Sequence, residues 1–466
     1  MKQKYQERLI ALGLFTLLVI LLIPLLLIAR YNVMGADDFW YYDMAQKGLF
    51  EGQSIWGILA AQIRNTIEYW KGWQGPYTST FFQFTFWSVG GENYYYVTTF
   101  ITLLPLLVAD FFLVYTILKK GFSATFSQTI IASVPIMIYH MSFPPSLVEA
   151  YYWFCGSVLY TGFYALSLFS LGLMIRLLDV QSKSRAKENA MKIVLIFFSV
   201  CMGGGNFITG LFMVCIYFLF AVYGFWKKHR RRVFYSINFG VLTGCYLLSV
   251  FSPGSAVRIE TSAEKEIGAV KAIVMSFYEA AKYIKTWTFP FVILLMVALL
   301  PLFWKLVKNK NYKFPLPGLV LFISFCLYAA QFTPNQYALG ILGAYRVQNI
   351  YRFQMIFWLL GNEFYILGYL HRKFPGFKIP YMEKITKIPF CSLVYGLIAT
   401  CMILLTMYNN VGPTLSSVST YKSLRDGSAA VYYQEFLERK DIMDGKGEEG
   451  AVLKPFSNPP YALYFN

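Results

Sequence analysis

Apolar runs of roughly 16 to 22 residues recur from one end of the chain to the other, separated by short polar or basic stretches. A helix needs about 20 such residues to cross ~30 Å of hydrocarbon. The pattern therefore predicts an all-α integral membrane protein whose backbone polar groups are satisfied inside helices. Spans are expected at 9–29, 95–118, 124–141, 157–175, 193–205, 207–226, 234–251, 287–304, 317–333, 351–370 and 389–408, about eleven in all. They form a multispanning domain over 1–408, followed by a small segment over 409–466. The first connection, about 30–94, is long, and within it Leu59, Ile63, Ile67 and Trp70 repeat at helical spacing. That fits a helix lying in the interface with Trp56, Tyr69, Trp70 and Trp73 at headgroup depth, the alternative being an ordinary packed loop helix. In the tail, 429–445 has helix character and 450–465 reads as a short extended piece broken by Pro459 and Pro460.

The basic residues then sort the connections. With a cytoplasmic amino terminus, the segments 1–8, 119–120, 176–192, 227–232, 304–313 and 371–387 lie inside, and they hold nearly every short Lys/Arg cluster. The opposite set holds most of the acids and the Gly, Pro and Asn of shaped loops, in stretches such as "GADDF", "GGGNF", "SPGSAVRIETSAEKE" and "TPNQYALGILGAYRVQN". The unusual chemistry is thus expected on the outer face.

Composition agrees. The chain is 57% hydrophobic, and its 14% of charged residues is far below the roughly 25% of an average soluble domain. The net charge of +17 reads as the inside-positive signal of a multipass protein, so no nucleic-acid partner is expected. The cysteines are scattered through apolar runs without a CxxC or Cys/His cluster, which indicates neither a disulfide framework nor a zinc site. The first apolar run is longer than the roughly 7 to 15 residues of a signal-peptide core, so an uncleaved anchor is expected.

Three groups of residues could carry chemistry. Asp37 and Asp38 stand where the first span ends, and carboxylates at a hydrocarbon boundary are costly unless solvated, paired or used. The plain alternative is a solvated span end with an Asp capping the next helix. Adjacent side chains also point in different directions, so one aspartate can face a substrate while the other anchors the loop. Arg258, Arg346 and Arg352 lie near outer span ends, where a guanidinium fork matches phosphate oxygens or simply snorkels to headgroups. Glu149, Trp153, Ser157, Tyr160 and Asn206 combine rings with polar groups, as sugar sites do, or as an aromatic belt beside a glycine kink does. His140 and Glu149 give only two candidate metal ligands, with no spacing pattern. One reaction needs no more than these parts: transfer of a sugar from a polyprenyl phosphate. Its leaving group is already stable as an anion, so one base and phosphate-holding cations suffice.

The motifs "GADDFWY", "YWKGWQGPYTSTFF", "YYWFCGSVLY", "GGGNF", "FSPGSAVR" and "TPNQYALGILGAYRVQN" follow one another in an order that resembles a bacterial multispanning family described as similar to the C-type (GT-C) glycosyltransferases. The chain departs from that pattern at "WQGP" and at "PGS". The resemblance implies a GT-C-like fold of the plasma membrane with its carboxyl terminus outside. It implies an inverting enzyme with a polyprenyl-phosphate-linked sugar donor and a cell-envelope glycan, teichoic acid or lipid acceptor. Asp37 would be the base, with Asp38 supporting it or holding a divalent ion. Arg258 and Arg346 would grip phosphate, and Trp73, Glu149, Trp153, Tyr160, Asn206 and Asn349 would line the substrate site. Two rivals stay open. A lipid or polysaccharide transporter would use mid-span acids such as Asp110 and Glu363, and a non-catalytic envelope scaffold would rely on its tail.

Overall fold

The computed structural model describes residues 2–50, 53–179, 184–261, 267–308, 312–374, 415–446 and 450–464. Every regular element among these residues is helical. In chain order they include α1 (Lys2–Ile28), α2 (Asp38–Gln46), α3 (Ile55–Gly72), α4 (Tyr77–Ser88), α5 (Val97–Tyr115), α6 (Phe126–Ser142), the short α7 (Phe154–Ser157), α8 (Phe163–Leu177), α9 (Arg185–Gly203) and α10 (Phe207–Trp226). Then follow α11 (Arg232–Val250), α12 (Pro253–Thr261), α13 (Ala269–Trp287), α14 (Pro290–Lys308), α15 (Pro317–Ala330), α16 (Thr333–Leu339) and α17 (Tyr345–Lys373), with α18 (Ser416–Arg425) and α19 (Ser428–Lys446) in the tail.

Helices occupy each expected span except 389–408, which lies outside the described residues. Six are long and apolar enough to cross a membrane: Lys4–Tyr31, Val97–Gly121, Phe154–Leu177, Phe207–Trp226, Arg232–Val250 and Pro290–Lys308. The pair α15 and α16, bent by 41°, makes a seventh if it is one span. The chain is thus a multipass helical membrane protein. Three helices at expected spans fall outside that set for physical reasons. α6 has 17 residues, most of them enclosed by neighbouring helices. α9 opens with Arg185, Lys187, Glu188 and Lys192, and α17 carries Arg346, Arg352 and Glu363.

The main core joins α1, α5, α6, α8, α14 and α17, and a second apolar cluster joins α8 to α9, α10 and α11. Polar contacts separate two ends. At one, Glu7 of α1 meets Lys305 of α14 at 2.5 Å and Gln128 of α6. Arg372 donates to the Val307 carbonyl there, and Glu188 collects Arg230 at 2.5 Å and Arg231 at 2.7 Å. At the other end lie α2 to α4, the turn before α7, α12 and the tail, where Ser416 Oγ donates to the Ser142 carbonyl at 2.9 Å. Tyr31 meets Tyr433 edge to face at 6.2 Å, and Lys440 pairs with Glu92. The stretch 450–464 is irregular with a turn at 461–463, so the extended piece expected there does not pair as a strand.

Helix α3 is amphipathic in reverse. Its polar residues Gln62, Asn65 and Thr66 are buried, and Gln62 and Asn65 donate to the carbonyls of Ala45 and Met44 at 3.0 and 2.9 Å. Ile63, Ile67 and Trp56 point outward and are exposed. An apolar stripe facing away from the protein is what a helix in the membrane interface presents to lipid. Trp56, Ile63 and Ile67 thus suit the interfacial reading, whereas Tyr69, expected at headgroup depth, is buried against Tyr41.

Candidate functional site

The segment that carries the acidic pair is stitched to the chain around α7. Asn32 Nδ2 donates to the Tyr152 carbonyl at 2.6 Å, and Trp153 Nε1 donates to the Gly35 carbonyl at 2.9 Å. Asp38 completes the seam. Its Oδ2 accepts from the Gly35 N–H at 3.1 Å and from the Tyr95 hydroxyl, and its Oδ1 accepts from the Cys155 N–H at 3.2 Å. This carboxyl is wholly buried, and burial pushes its pKa up to about 6 despite those bonds. Asp38 is therefore an anchor, and it is not among the residues lining the cavity that Asp37 borders. Asp38 is thus placed to support Asp37 by fixing the turn that carries it. Asp37 is exposed instead: Ala36 before it has φ +51°, a left-handed turn that sends its successor the other way.

Asp37 lines a cavity of ≈ 640 Å³ together with Arg258, Arg346, Trp73, Trp153 and Tyr160. Residues from four separate parts of the chain, expected from sequence to act together, thus border one space. Two backbone features place them. Trp153 lies between π-helical turns at Val148–Tyr152 and Val158–Gly162, an irregularity common at functional sites. A methyl group on Gly156 would collide with the Trp153 ring, so that glycine admits the indole. Arg258 is set by α12, whose Gly254 packs so closely that an added Cβ would lie 2.6 to 2.7 Å from backbone atoms of Trp70, Trp73 and Gln74.

Each cation has a partner that orients it. Arg346 Nη1 binds Glu149 Oε2 at 3.2 Å, its own N–H donates to the same oxygen at 3.1 Å, and its guanidinium lies 5.2 Å from the centre of the Trp153 ring. Arg258 donates to Gln74 Oε1 and approaches Trp73. Gln74 Nε2 in turn donates to the Tyr41 hydroxyl at 3.3 Å, which shares a 2.8 Å hydrogen bond with that of Tyr69. Burial pushes both phenols upward, so they remain neutral hydroxyls.

Three expected lining residues serve the frame. Glu149 is buried and holds Arg346. Asn206 caps α10 by accepting from the Thr209 N–H at 2.8 Å and donates to the Leu159 carbonyl, while Asn349 exchanges two hydrogen bonds with the Ser146 backbone. None of the three borders the cavity. Arg352 is buried among Tyr139, Trp287 and Phe289, away from it. Asp110 is engaged by His140 at 2.8 Å, whose other ring nitrogen faces the Phe353 carbonyl.

Sequence reading missed Glu68, a second carboxylate lining the cavity, and also Tyr41, Tyr69 as a site residue, and Gln83, whose buried Oε1 has no hydrogen-bond donor among the described residues. Spacing could have found two of them: Glu68 and Tyr69 fall one turn before Gly72 and Trp73 on α3, off the apolar stripe. On the other side of α3, Ile63, Thr66, Ile67 and Trp70 border an apolar groove of ≈ 470 Å³ with Tyr77, Thr78, Phe81 and Leu248. Among the described residues no group of three or more His, Cys, Asp or Glu side chains could hold a metal ion. No protein-family model, curated protein or solved structure matches the chain.

Proposed function

We propose that the chain is an inverting glycosyltransferase of the bacterial plasma membrane, of GT-C-like fold with about eleven spans. In this reading the amino terminus is cytoplasmic and the tail extracytoplasmic. It moves a sugar from a polyprenyl phosphate to a cell-envelope glycan, teichoic acid or lipid. The observation that carries the reading is the single cavity bordered by Asp37, two arginines and six aromatic rings. The groove beside it, across α3, is apolar enough for a prenyl chain.

The chemistry follows from the lining. The acceptor hydroxyl attacks the anomeric carbon and gives its proton to the Asp37 carboxylate. The new oxygen–carbon bond forms as the carbon–oxygen bond to phosphate breaks, and the polyprenyl phosphate leaves with the electron pair. Arg258 and Arg346 stabilise that anion through charge-assisted hydrogen bonds. The sugar stacks on Trp73, Trp153 or Tyr160, and the unpartnered Gln83 oxygen accepts one of its hydroxyls.

The test is transfer from a radiolabelled lipid-linked sugar by the full-length protein in nanodiscs. Asp37→Asn, present at normal abundance, is expected to lose transfer by at least about a hundredfold, the usual share of a general base. Undiminished transfer by this variant removes the assignment. Labelled lipid crossing the bilayer without a new glycosidic product would favour a transporter.

A further inference from the structure

A second cavity of ≈ 380 Å³ lies on the other side of the acidic turn, between it and the tail. Its floor is Asn32 to Ala36 with Phe39 and Trp153, and its roof is formed by α19 and the stretch 453–464. Trp153 borders both cavities. Gly35 and Ala36 line the second cavity, and the next residue, Asp37, lines the first.

The lining has a definite chemistry. Tyr432, Phe456 and Tyr464 form a ring cluster with centroids 4.7 to 6.3 Å apart. Arg439 covers it, with its guanidinium carbon 3.4 Å from the Phe456 centroid. The arginine donates to the Lys454 carbonyl and makes no ion pair among the described residues. Asn32 spends its amide N–H on the Tyr152 carbonyl and leaves its oxygen open. Rings stack on the C–H faces of a sugar or polyol, an amide oxygen accepts a hydroxyl, and a guanidinium without a carboxylate partner takes an anion. The volume lies within the roughly 300–1,000 Å³ of small-molecule sites.

We propose that this second cavity, roofed by the tail and sharing Trp153 with the first, binds an anionic unit of the acceptor glycan, whose chain continues past the acidic turn to present a hydroxyl to Asp37. The inference rests on the glycosyl-transfer reading. It assigns to the tail the recognition of the acceptor and leaves the donor phosphate to Arg258 and Arg346. The anion on the acceptor is a phosphate, as in a polyol-phosphate chain, or a carboxylate, as in a uronic acid polymer.

Equilibrium binding to the full-length protein in phosphatidylcholine nanodiscs tests it. The probes are a labelled glycerol-phosphate oligomer, labelled trigalacturonate and uncharged labelled maltotriose. Saturable binding of one anionic probe is expected, with maltotriose at least about tenfold weaker, since one charged hydrogen-bonded contact is worth that much. Which anionic probe binds identifies the source of the charge. Arg439→Gln is expected to weaken binding about tenfold or more. Because that change also removes a contact within the tail, Met443→Trp, a filling substitution at the exposed rim of the cavity, serves as the second variant and should weaken binding as well. Failure of both anionic probes to bind, equal binding of maltotriose, or undiminished binding by both cavity variants overturns the proposal. Transfer that depends on Asp37 but ignores both cavity variants refutes the acceptor site alone. Binding that follows Arg439 without any glycosyl transfer refutes the catalytic reading and leaves the site standing.

Discussion

Replacing Gly254 with alanine tests how the cationic side of the main cavity is held. The new methyl would lie 2.6 Å from the Gln74 nitrogen and 2.7 Å from the Trp73 nitrogen and the Trp70 carbonyl oxygen. All three are backbone atoms and cannot rotate aside, so α12 must move away from the end of α3 by nearly an ångström to restore ordinary contact. Two effects oppose each other. Alanine is the better helix former by about 1 kcal/mol, whereas overpacking of this kind costs about 1–3 kcal/mol. The clash wins, leaving a net loss of about 1 kcal/mol or somewhat more. Arg258, one turn along α12, would lose its bond to Gln74, and a displacement of that size at a reacting centre costs on the order of a hundredfold in rate. Gly240→Ala is the control, because nothing lies within 4 Å of its added methyl. Thermal unfolding of the full-length protein in detergent, followed by tryptophan fluorescence, should place Gly254→Ala about 2–5 °C below the unaltered protein and Gly240→Ala at or above it. In an Arg258→Cys background, Gly254→Ala should also speed labelling by a membrane-impermeant maleimide. Equal midpoints and equal labelling for the two alanine variants would refute the close packing from which the placement of Arg258 is argued.

The other expectations concern the acids. Asp38 binds its proton more tightly in the fold than in the unfolded chain, so its contribution is full below about pH 4 and is lost as pH rises through about 6, a change of about 3 kcal/mol. The thermal midpoint should therefore rise from about pH 7 to about pH 5, and this slope should flatten in Asp38→Asn; an identical slope in both proteins contradicts the buried carboxyl. Glu149→Gln keeps an acceptor for Arg346 but removes the charge, and should lower stability by about 1–3 kcal/mol, checked by the same midpoint at neutral pH. Glu68→Gln should reduce glycosyl transfer by less than about tenfold, against about a hundredfold for Asp37→Asn, and the reverse order would make Glu68 the base.

The helical plan was legible because hydrocarbon imposes it. Where charges and short length enter, as in α9 and α6, apolarity alone no longer measures a helix, since burial among other helices relieves the need for lipid-compatible side chains. The candidate site was legible in part. Asp37, Arg258, Arg346, Trp153 and Tyr160 were each flagged by residue type near an outer span end, and Trp73 by the resemblance; the fold brings all six to one cavity. Glu149, Asn206 and Asn349 carry the same signals yet serve the frame, because a one-dimensional pattern cannot tell a polar group that meets a ligand from one that meets a neighbouring backbone. Glu68 was hidden for the converse reason. The apolar stripe of α3 drew attention to the face that turns outward, and the cavity lies off that stripe.

The paired aspartates resolve into a division of labour that one carboxylate could not perform. A base must be exposed to its substrate, and an exposed side chain on a loop has no fixed direction of its own. Asp38 removes that freedom by accepting from Gly35, Tyr95 and Cys155, which ties the turn to the chain beside Trp153. Ala36, forced to φ +51°, then reverses the path so that its neighbour faces the arginines. Burial of one acid is thus the cause of the other's orientation. The same turn puts Ala36 in the lining of the cavity beneath the tail and Asp37 in that of the cavity bordered by the arginines, so one reversal of the backbone serves both spaces.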